Sequence, residues 1–251
     1  MPDRAEALEL ARRLHAFAYS MEIMRKAAAR ELAVRHPVDA TELLQHLLEL
    51  SARGHEPARC ALQAFAAALA LEAGSLPAAP ELRRMAETQS LELAAALFAS
   101  GPARKEMAPD AAARADARAF TESLGHLKTK ARSTRDPDQL SRLAMASNPS
   151  VVRNALFNPR LTEDLVVRIA ARQPARPEPL LEIWKSQRWS ARPTVRRALV
   201  FNPYLPPEIG AKIVPLLTSP ELLDLSRFES AHPVLREQAR LLLREREGRK
   251  G

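Results

Sequence analysis

The chain has 251 residues, 46% hydrophobic and 27% charged, which is enough to bury a sizeable core and too apolar for wholesale disorder. Only seven glycines argue against glycine-rich phosphate loops and tight hairpins, and a single cysteine, Cys60, excludes an internal disulfide framework, a multi-cysteine zinc site and an iron–sulfur cluster held by one chain. The net charge of +8 is concentrated, because residues 127–200 carry 15 Lys or Arg against 6 Asp or Glu and the remainder is close to neutral.

Alanine is abundant, β-branched residues are sparse and aromatics make up 4%, so helix is favoured over sheet throughout. Asp3 is placed to cap a long helix reaching about residue 36, with Leu10, Leu14, Phe17, Met21, Met24 and Ala28 at three- and four-residue steps. Pro37 stops it. Asp39 and Glu42 then form a capping-box-like pair ahead of Leu43, Leu44, Leu47, Leu48 and Leu50, and Gly54 closes that helix. Pro57 suits the first turn of a helix running to Gly74. A further helical stretch covers 80–99, with a break near 88–90. These pieces read as antiparallel helices packed through Ala, Leu and Phe. Residues 100–109, with Gly101, Pro102 and Pro109, read as a linker, and 110–130 as an alanine-rich connecting helix.

Proline divides the chain. Residues 1–136 hold 7 prolines and residues 137–251 hold 13, so helices should be longer before the division and shorter after it. The second part also repeats itself. Aligning 149–169 with 193–213 gives identity at Pro149/Pro193, Val151/Val195, Arg153/Arg197, Phe157/Phe201, Asn158/Asn202, Pro159/Pro203, Leu161/Leu205 and Ile169/Ile213. Chance would give about one or two. A looser copy starts at His232-Pro233-Val234-Leu235-Arg236, and a partial one covers 143–149. In this pattern proline opens a short helix where its missing N–H costs nothing, and Val, Leu or Phe face a neighbour. Asn is expected to end the helix in the left-handed conformation, with Pro blocking continuation. Thr162 or Pro206 starts the next helix, with acids just inside, where the helix dipole favours them. No such unit buries its apolar face alone, so units must stack.

The runs Val152-Arg-Asn-Ala-Leu-Phe-Asn-Pro-Arg-Leu-Thr-Glu-Asp-Leu165 and Arg196-Arg-Ala-Leu-Val-Phe-Asn-Pro-Tyr-Leu-Pro-Pro-Glu-Ile209 resemble HEAT-like and leucine-rich-repeat-variant bacterial α-solenoids. The resemblance spans roughly 138–245. It implies a right-handed superhelix of helix pairs with a protein- or nucleic-acid-binding surface, and no enzyme. It also implies that Arg153 and Arg197 tie down neighbouring turns, which with Asn158, Pro159, Asn202 and Pro203 of the repeated pattern makes a set of structural residues. The iron–sulfur clusters of some variant-repeat proteins need cysteines this chain lacks. HEAT-like glycosylases that remove alkylated DNA bases offer a second, weaker resemblance. Trp184 and Trp189 lie near Glu182, Lys185 and Arg188, but the Trp–Asp context of that family is missing.

Other chemistry is thinly signalled. His15, His36, His46, His55, His126 and His232 have no helical zinc spacing, and no Gly-x-Ser-x-Gly elbow, Walker loop or dinucleotide fingerprint occurs. Cys60 reads as a small apolar group in an alanine-rich helix; Arg59 and His55 are the neighbours that could lower its pKa. Glu163 and Asp164 sit at a helix start, where the dipole accounts for them. The segment 183–192 holds both tryptophans beside three bases. Its Lys185, Arg188, Trp189 and Arg192, with Arg196, form the candidate partner-binding set.

The sequence therefore predicts an all-α protein: an antiparallel helical bundle over 1–100, a linker and connecting helix over 101–136, and a short HEAT-like α-solenoid over 137–251. It is expected to be a cytoplasmic scaffold or adaptor that binds an acidic protein, with no cofactor, no catalytic or metal-binding residue and no membrane span. Nucleic acid is the alternative ligand for the basic segment, and self-association through the alanine-rich first part is compatible with close helix packing. The start, Met1-Pro-Asp-Arg-Ala-Glu, has no apolar signal core, and the most apolar run, 60–73, is too short to span a bilayer.

Overall fold

A computed structural model describes residues 3–72, 74, 76–108 and 122–248. The protein is all-α, and the described residues contain no strand. The helices are α1 (Arg4–His15), α2 (Met21–Val34), α3 (Pro37–Ala52), α4 (Glu56–Leu71), α5 (Ala79–Thr88), α6 (Glu92–Leu97), α7 (Leu124–Ser133), α8 (Pro137–Ala144), α9 (Pro149–Leu156), α10 (Glu163–Ala171), α11 (Pro177–Lys185), α12 (Gln187–Ser190), α13 (Pro193–Val200), α14 (Pro207–Ile213), α15 (Ser219–Arg227) and α16 (Pro233–Glu247), with a 3-10 turn at Val214–Leu216.

Several boundaries follow local chemistry that the sequence reading placed differently. The first long helix is two helices. Asp3 caps α1 as expected, accepting from the Glu6 amide at 2.8 Å. The chain then turns through residues 16–19, and Ser20 caps α2 by accepting from the Ile23 amide. That turn lifts Phe17 out of the apolar stripe, and it is exposed. Pro37 opens α3 rather than merely stopping its predecessor, and the cap is His36, whose Nδ1 accepts from the Val38 amide, in place of the Asp39/Glu42 pair. Gly54 does close α3, at φ +83°. The break near 88–90 falls at Ser90, whose φ is +57°. Helix α4 stops at Leu71, short of Gly74. The predicted connecting helix lies mostly on residues 109–121, outside those described. Its last residues belong to α7, capped by Ser123.

The chain forms two compact units, and they do not follow the division at residue 137. One unit contains residues up to Gly101 together with Pro207–Glu229 and everything from Pro233 onward; the other contains Pro102–Pro206 and Ser230–His232. The sequence reading assigned 207–248 to the repeat region on the strength of periodicity. Its apolar side chains instead pack with the first hundred residues. In this first unit α4 packs on α1, α2 and α3, α3 also packs on α5 and α6, and α16 packs on α3, α6 and α15. Its core is built from Ala, Leu, Met24 and Phe65, all buried.

Contacts in the second unit alternate. Helix α7 packs on α9 and α9 on α11, while α8 packs on α10 and α10 on α13. Proline opens α8, α9, α11 and α13, as the sequence pattern predicts.

Candidate anionic-partner interface

The joint that follows α9 positions the candidate site. Its anchor is Asn158, 1% exposed, whose backbone is not left-handed. The sequence expectation of a left-handed cap is therefore corrected: this asparagine works through its side chain. Its Nδ2 donates to the carbonyls of Ala131 (3.0 Å) and Thr134 (3.1 Å) at the end of α7, while its Oδ1 accepts from the Arg160 amide (2.9 Å). The repeat-equivalent Asn202 does the same, donating to Ala170 (2.7 Å) and Arg172 (2.9 Å) at the end of α10 and accepting from the Tyr204 amide (3.0 Å). A short carboxamide is suited to this work, since it supplies two donors and an acceptor to backbone groups that a helix end leaves unpaired.

With the joint locked, its flanking side chains have fixed places. Phe157 caps α9 and is 58% exposed. The Arg132 guanidinium lies over its ring, 5.4 Å from the centroid. Arg188 reaches the same joint from α12, with its guanidinium 3.5 Å from the carbonyls of both Asn158 and Leu161 and 4.3 Å from the Trp189 ring centroid. Arg160 sits in the turn itself, exposed and without a side-chain partner among the described residues. Arg132 and Arg188 thus bring guanidiniums to one joint, which also carries exposed Arg160 and a solvent-facing aromatic ring. The second copy carries an echo, with Arg197 4.7 Å from the Phe201 centroid.

The five residues singled out from the sequence fare unequally. Trp189 is 2% exposed and its Nε1 donates to the Leu156 carbonyl at 3.0 Å, so it is a core residue and not part of a contact surface. Trp184 is also buried. Lys185 is exposed and shares the Glu182 carboxylate with Arg153, at 3.8 Å each. Arg192 is exposed and faces Glu163 at 3.7 Å. Arg196 is half-buried. Only Arg188 joins the cluster at the joint. Of the structural set, Asn158 and Asn202 act as clamps and Pro159 and Pro203 follow them in the turns. Arg153 and Arg197 are exposed, Arg153 faces Glu182 of α11, and Arg172 donates to the Met145 carbonyl at the end of α8.

Arg132, Phe157 and Arg160 were missed as surface residues. The repeat marks Phe157 as a matching apolar position, which suggests burial, and nothing in the spacing reveals that a helix cap turns it outward. Cys60 lacks the environment of a reactive thiol. Burial first, then the Glu56 carboxylate, pushes it up, while Arg59 is engaged by Glu56 at 2.6 Å and His55 caps α4. No group of three or more His, Cys, Asp or Glu is placed to hold a metal ion, and no helix is long and apolar enough to cross a membrane, both among the described residues.

Comparison with family models, with characterised proteins and with solved structures finds no match to this chain.

Proposed function

We propose that the second unit is a non-enzymatic binding module that docks an acidic protein segment against the joint after α9. The carrying observation is that Arg132 and Arg188 bring guanidiniums to the joint that carries exposed Phe157 and exposed Arg160. The charge partition supports it: residues 102–206 hold 19 bases and 10 acids, a net of +9, and the rest of the chain is near −1. The alternating helix contacts and the twice-used asparagine clamp support reading the unit as stacked HEAT-like elements, which present side chains along a rigid face. Arginine beside an aromatic ring is the composition that dominates protein interfaces.

A protein is favoured over nucleic acid by the acids set among the bases. Glu163, Glu178 and Glu182 lie in the same unit, each beside an arginine, and would oppose a phosphate backbone while pairing naturally with a mixed-charge partner. The nucleic-acid reading keeps one specific support, the exposed Phe157 ring with the Arg132 guanidinium over it, which suits base stacking.

Fluorescence anisotropy with a labelled aspartate- and glutamate-rich peptide and with single- and double-stranded oligonucleotides, each over a salt series, separates the two. The Arg132→Glu, Arg188→Glu double variant should weaken peptide binding by about tenfold or more, since each contact is worth about 1 kcal/mol or more. Equal binding by the variant and the wild type removes the joint as the site. Tighter oligonucleotide binding with a steep salt slope transfers the site to nucleic acid.

A further inference from the structure

The first unit contains a feature independent of the basic module. A cleft of about 280 Å³ opens between the end of α3, the start of α4, residues 217–219 and the end of α16. It is lined by Ser51, Gly54, Glu56, Arg59, Ser219 and Arg246, among others. We propose that this cleft binds a small phosphorylated molecule, gripping its phosphoryl group between Arg59, Arg246 and the hydroxyls of Ser51 and Ser219.

The argument starts from Arg246. Its guanidinium is fixed by neutral groups alone, donating to the Leu217 carbonyl at 2.9 Å and the Ser219 hydroxyl at 3.0 Å. No carboxylate pairs with it among the described residues. Burial, and then repulsion from the Arg59 guanidinium, holds it below the usual guanidinium range. A half-buried cation whose strongest charged neighbour is another cation is an unfavourable arrangement that a bound anion relieves.

A second, separate observation is Ser51. It is 7% exposed and it lines the cleft, so a polar group is built into a wall that is otherwise closed to solvent. Its hydroxyl can donate to or accept from a ligand held there.

One carboxylate, Glu56, lines the cleft with two guanidiniums, so the lining keeps a net positive charge. Glu56 is already engaged by Arg59 at 2.6 Å and by the Cys60 thiol at 3.6 Å. Glu245 pairs with Arg53 at 2.9 Å. Glu221 closes a capping box with Thr218, whose amide and hydroxyl both donate to it at 2.8 Å, so the start of α15 is already occupied and recognition falls to side chains. Donors reaching the cleft from α3, α4, α15 and α16 suit a tetrahedral oxyanion better than a planar carboxylate, which fills one guanidinium fork in one plane. The volume exceeds that of a bare phosphate ion and sits just below the range of small-molecule pockets, about 300–1,000 Å³, so it leaves room for a compact organic group and not for a nucleotide.

The test is isothermal titration of the full chain with inorganic phosphate, glycerol phosphate and acetate, with ionic strength held constant by chloride. Saturable binding of both phosphates, with acetate at least about tenfold weaker, is expected. Arg59→Gln, at an exposed position outside the core, should weaken phosphate binding by about tenfold, and Ser51→Ala by about threefold. Arg188→Glu, in the basic unit, should leave phosphate binding unchanged, which separates the cleft from general attraction to a basic protein. Acetate binding as well as phosphate, Arg59→Gln and Ser51→Ala both staying within about twofold of wild type, or loss of binding in Arg188→Glu would each overturn the proposal.

Discussion

Replacing Asn202 by Ala tests whether the repeated asparagine is the structural clamp of its joint. The side chain is 3% exposed and makes three hydrogen bonds to backbone groups, at 2.7, 2.9 and 3.0 Å. Each is worth about 1 kcal/mol, and truncation leaves buried carbonyls of Ala170 and Arg172 without this donor, so a loss of about 3 kcal/mol is expected. Against a total stability of about 5–15 kcal/mol this is a large fraction. It should lower Tm by about 6–12 °C, followed by far-ultraviolet circular dichroism with urea denaturation as the equilibrium measure. Asn202→Asp sharpens the reasoning. It keeps the shape but replaces the two donors with a carboxylate oxygen facing two carbonyls, so at neutral pH it should be worse than Ala. Folding then favours the protonated carboxyl, which raises its pKa in the folded state, so the extra penalty fades as pH falls and one donor returns. An Asn202→Ala variant within about 0.5 kcal/mol of wild type, or an Asp variant equal to wild type at neutral pH, would refute the clamp.

Three further outcomes follow from buried or strained groups. Lys212 is 7% exposed, and burial pushes it down to about 8. The gap from its ordinary value near 10.5 corresponds to about 3 kcal/mol spent holding the charge in the fold at neutral pH, so Lys212→Met should stabilise the protein by about 2 kcal/mol after loss of the Nζ bond to the Glu208 carbonyl. Because the folded pKa lies below the unfolded one, wild-type stability from this group should rise between about pH 8 and pH 10.5, and the Met variant should lack that rise in urea titrations. Trp189→Phe should cost about 2–3 kcal/mol, since it removes the bond to the Leu156 carbonyl and leaves a gap, whereas Trp184→Phe deletes a buried Nε1 that has no partner and should cost less; denaturation of the two single variants compares them. Ser90→Gly should raise stability by about 0.5–1 kcal/mol in the same assay, because glycine takes the observed φ of +57° without strain.

Helix class was legible because it rests on local signals: alanine content, proline at helix starts and caps such as Asp3. Most failures came where two local signals competed. At 16–20 an unbroken apolar stripe concealed a serine cap, since Ser20 reads equally well as an interior residue until its hydroxyl is seen on the Ile23 amide. At 36–42 an aspartate–glutamate pair outweighed a histidine cap. The unit division failed for a different reason. Periodicity shows which residues of 207–248 are apolar but not which partners cover them, and Gly210 illustrates the point: it lies against Leu235, two positions whose sequence neighbourhoods give no hint of contact. The candidate site was half legible. Charge concentration pointed to the unit that holds the proposed joint, while the choice between exposed Arg188 and buried Trp189, neighbours in sequence, depended on which faced the Leu156 carbonyl.

The same device recurs where the repeat is weakest, and its details predict a different energetic outcome. In the first unit Gln238, 2% exposed, donates from Nε2 to the Ala211 carbonyl at 2.8 Å, much as Asn158 reaches Ala131 and Asn202 reaches Ala170. Gln238 follows the loose copy that begins at His232, so the amide-to-helix-end contact persists although the Asn-Pro pair is gone. Its other end differs. The Oε1 of Gln238 is buried with no partner, whereas the Oδ1 atoms of both asparagines accept from an amide two residues on. A clamp satisfied at both ends loses everything on truncation, but one with an orphaned acceptor already carries a desolvation cost that offsets its single bond. Gln238→Met, of similar length and free of polar oxygen, should therefore fall within about 1 kcal/mol of wild type, in contrast to the loss of about 3 kcal/mol at Asn202. Equal losses at the two positions, measured by urea denaturation, would mean that Gln238 is a full counterpart of the asparagines, with its acceptor satisfied by ordered water, and that the loose copy is as constrained as the other two.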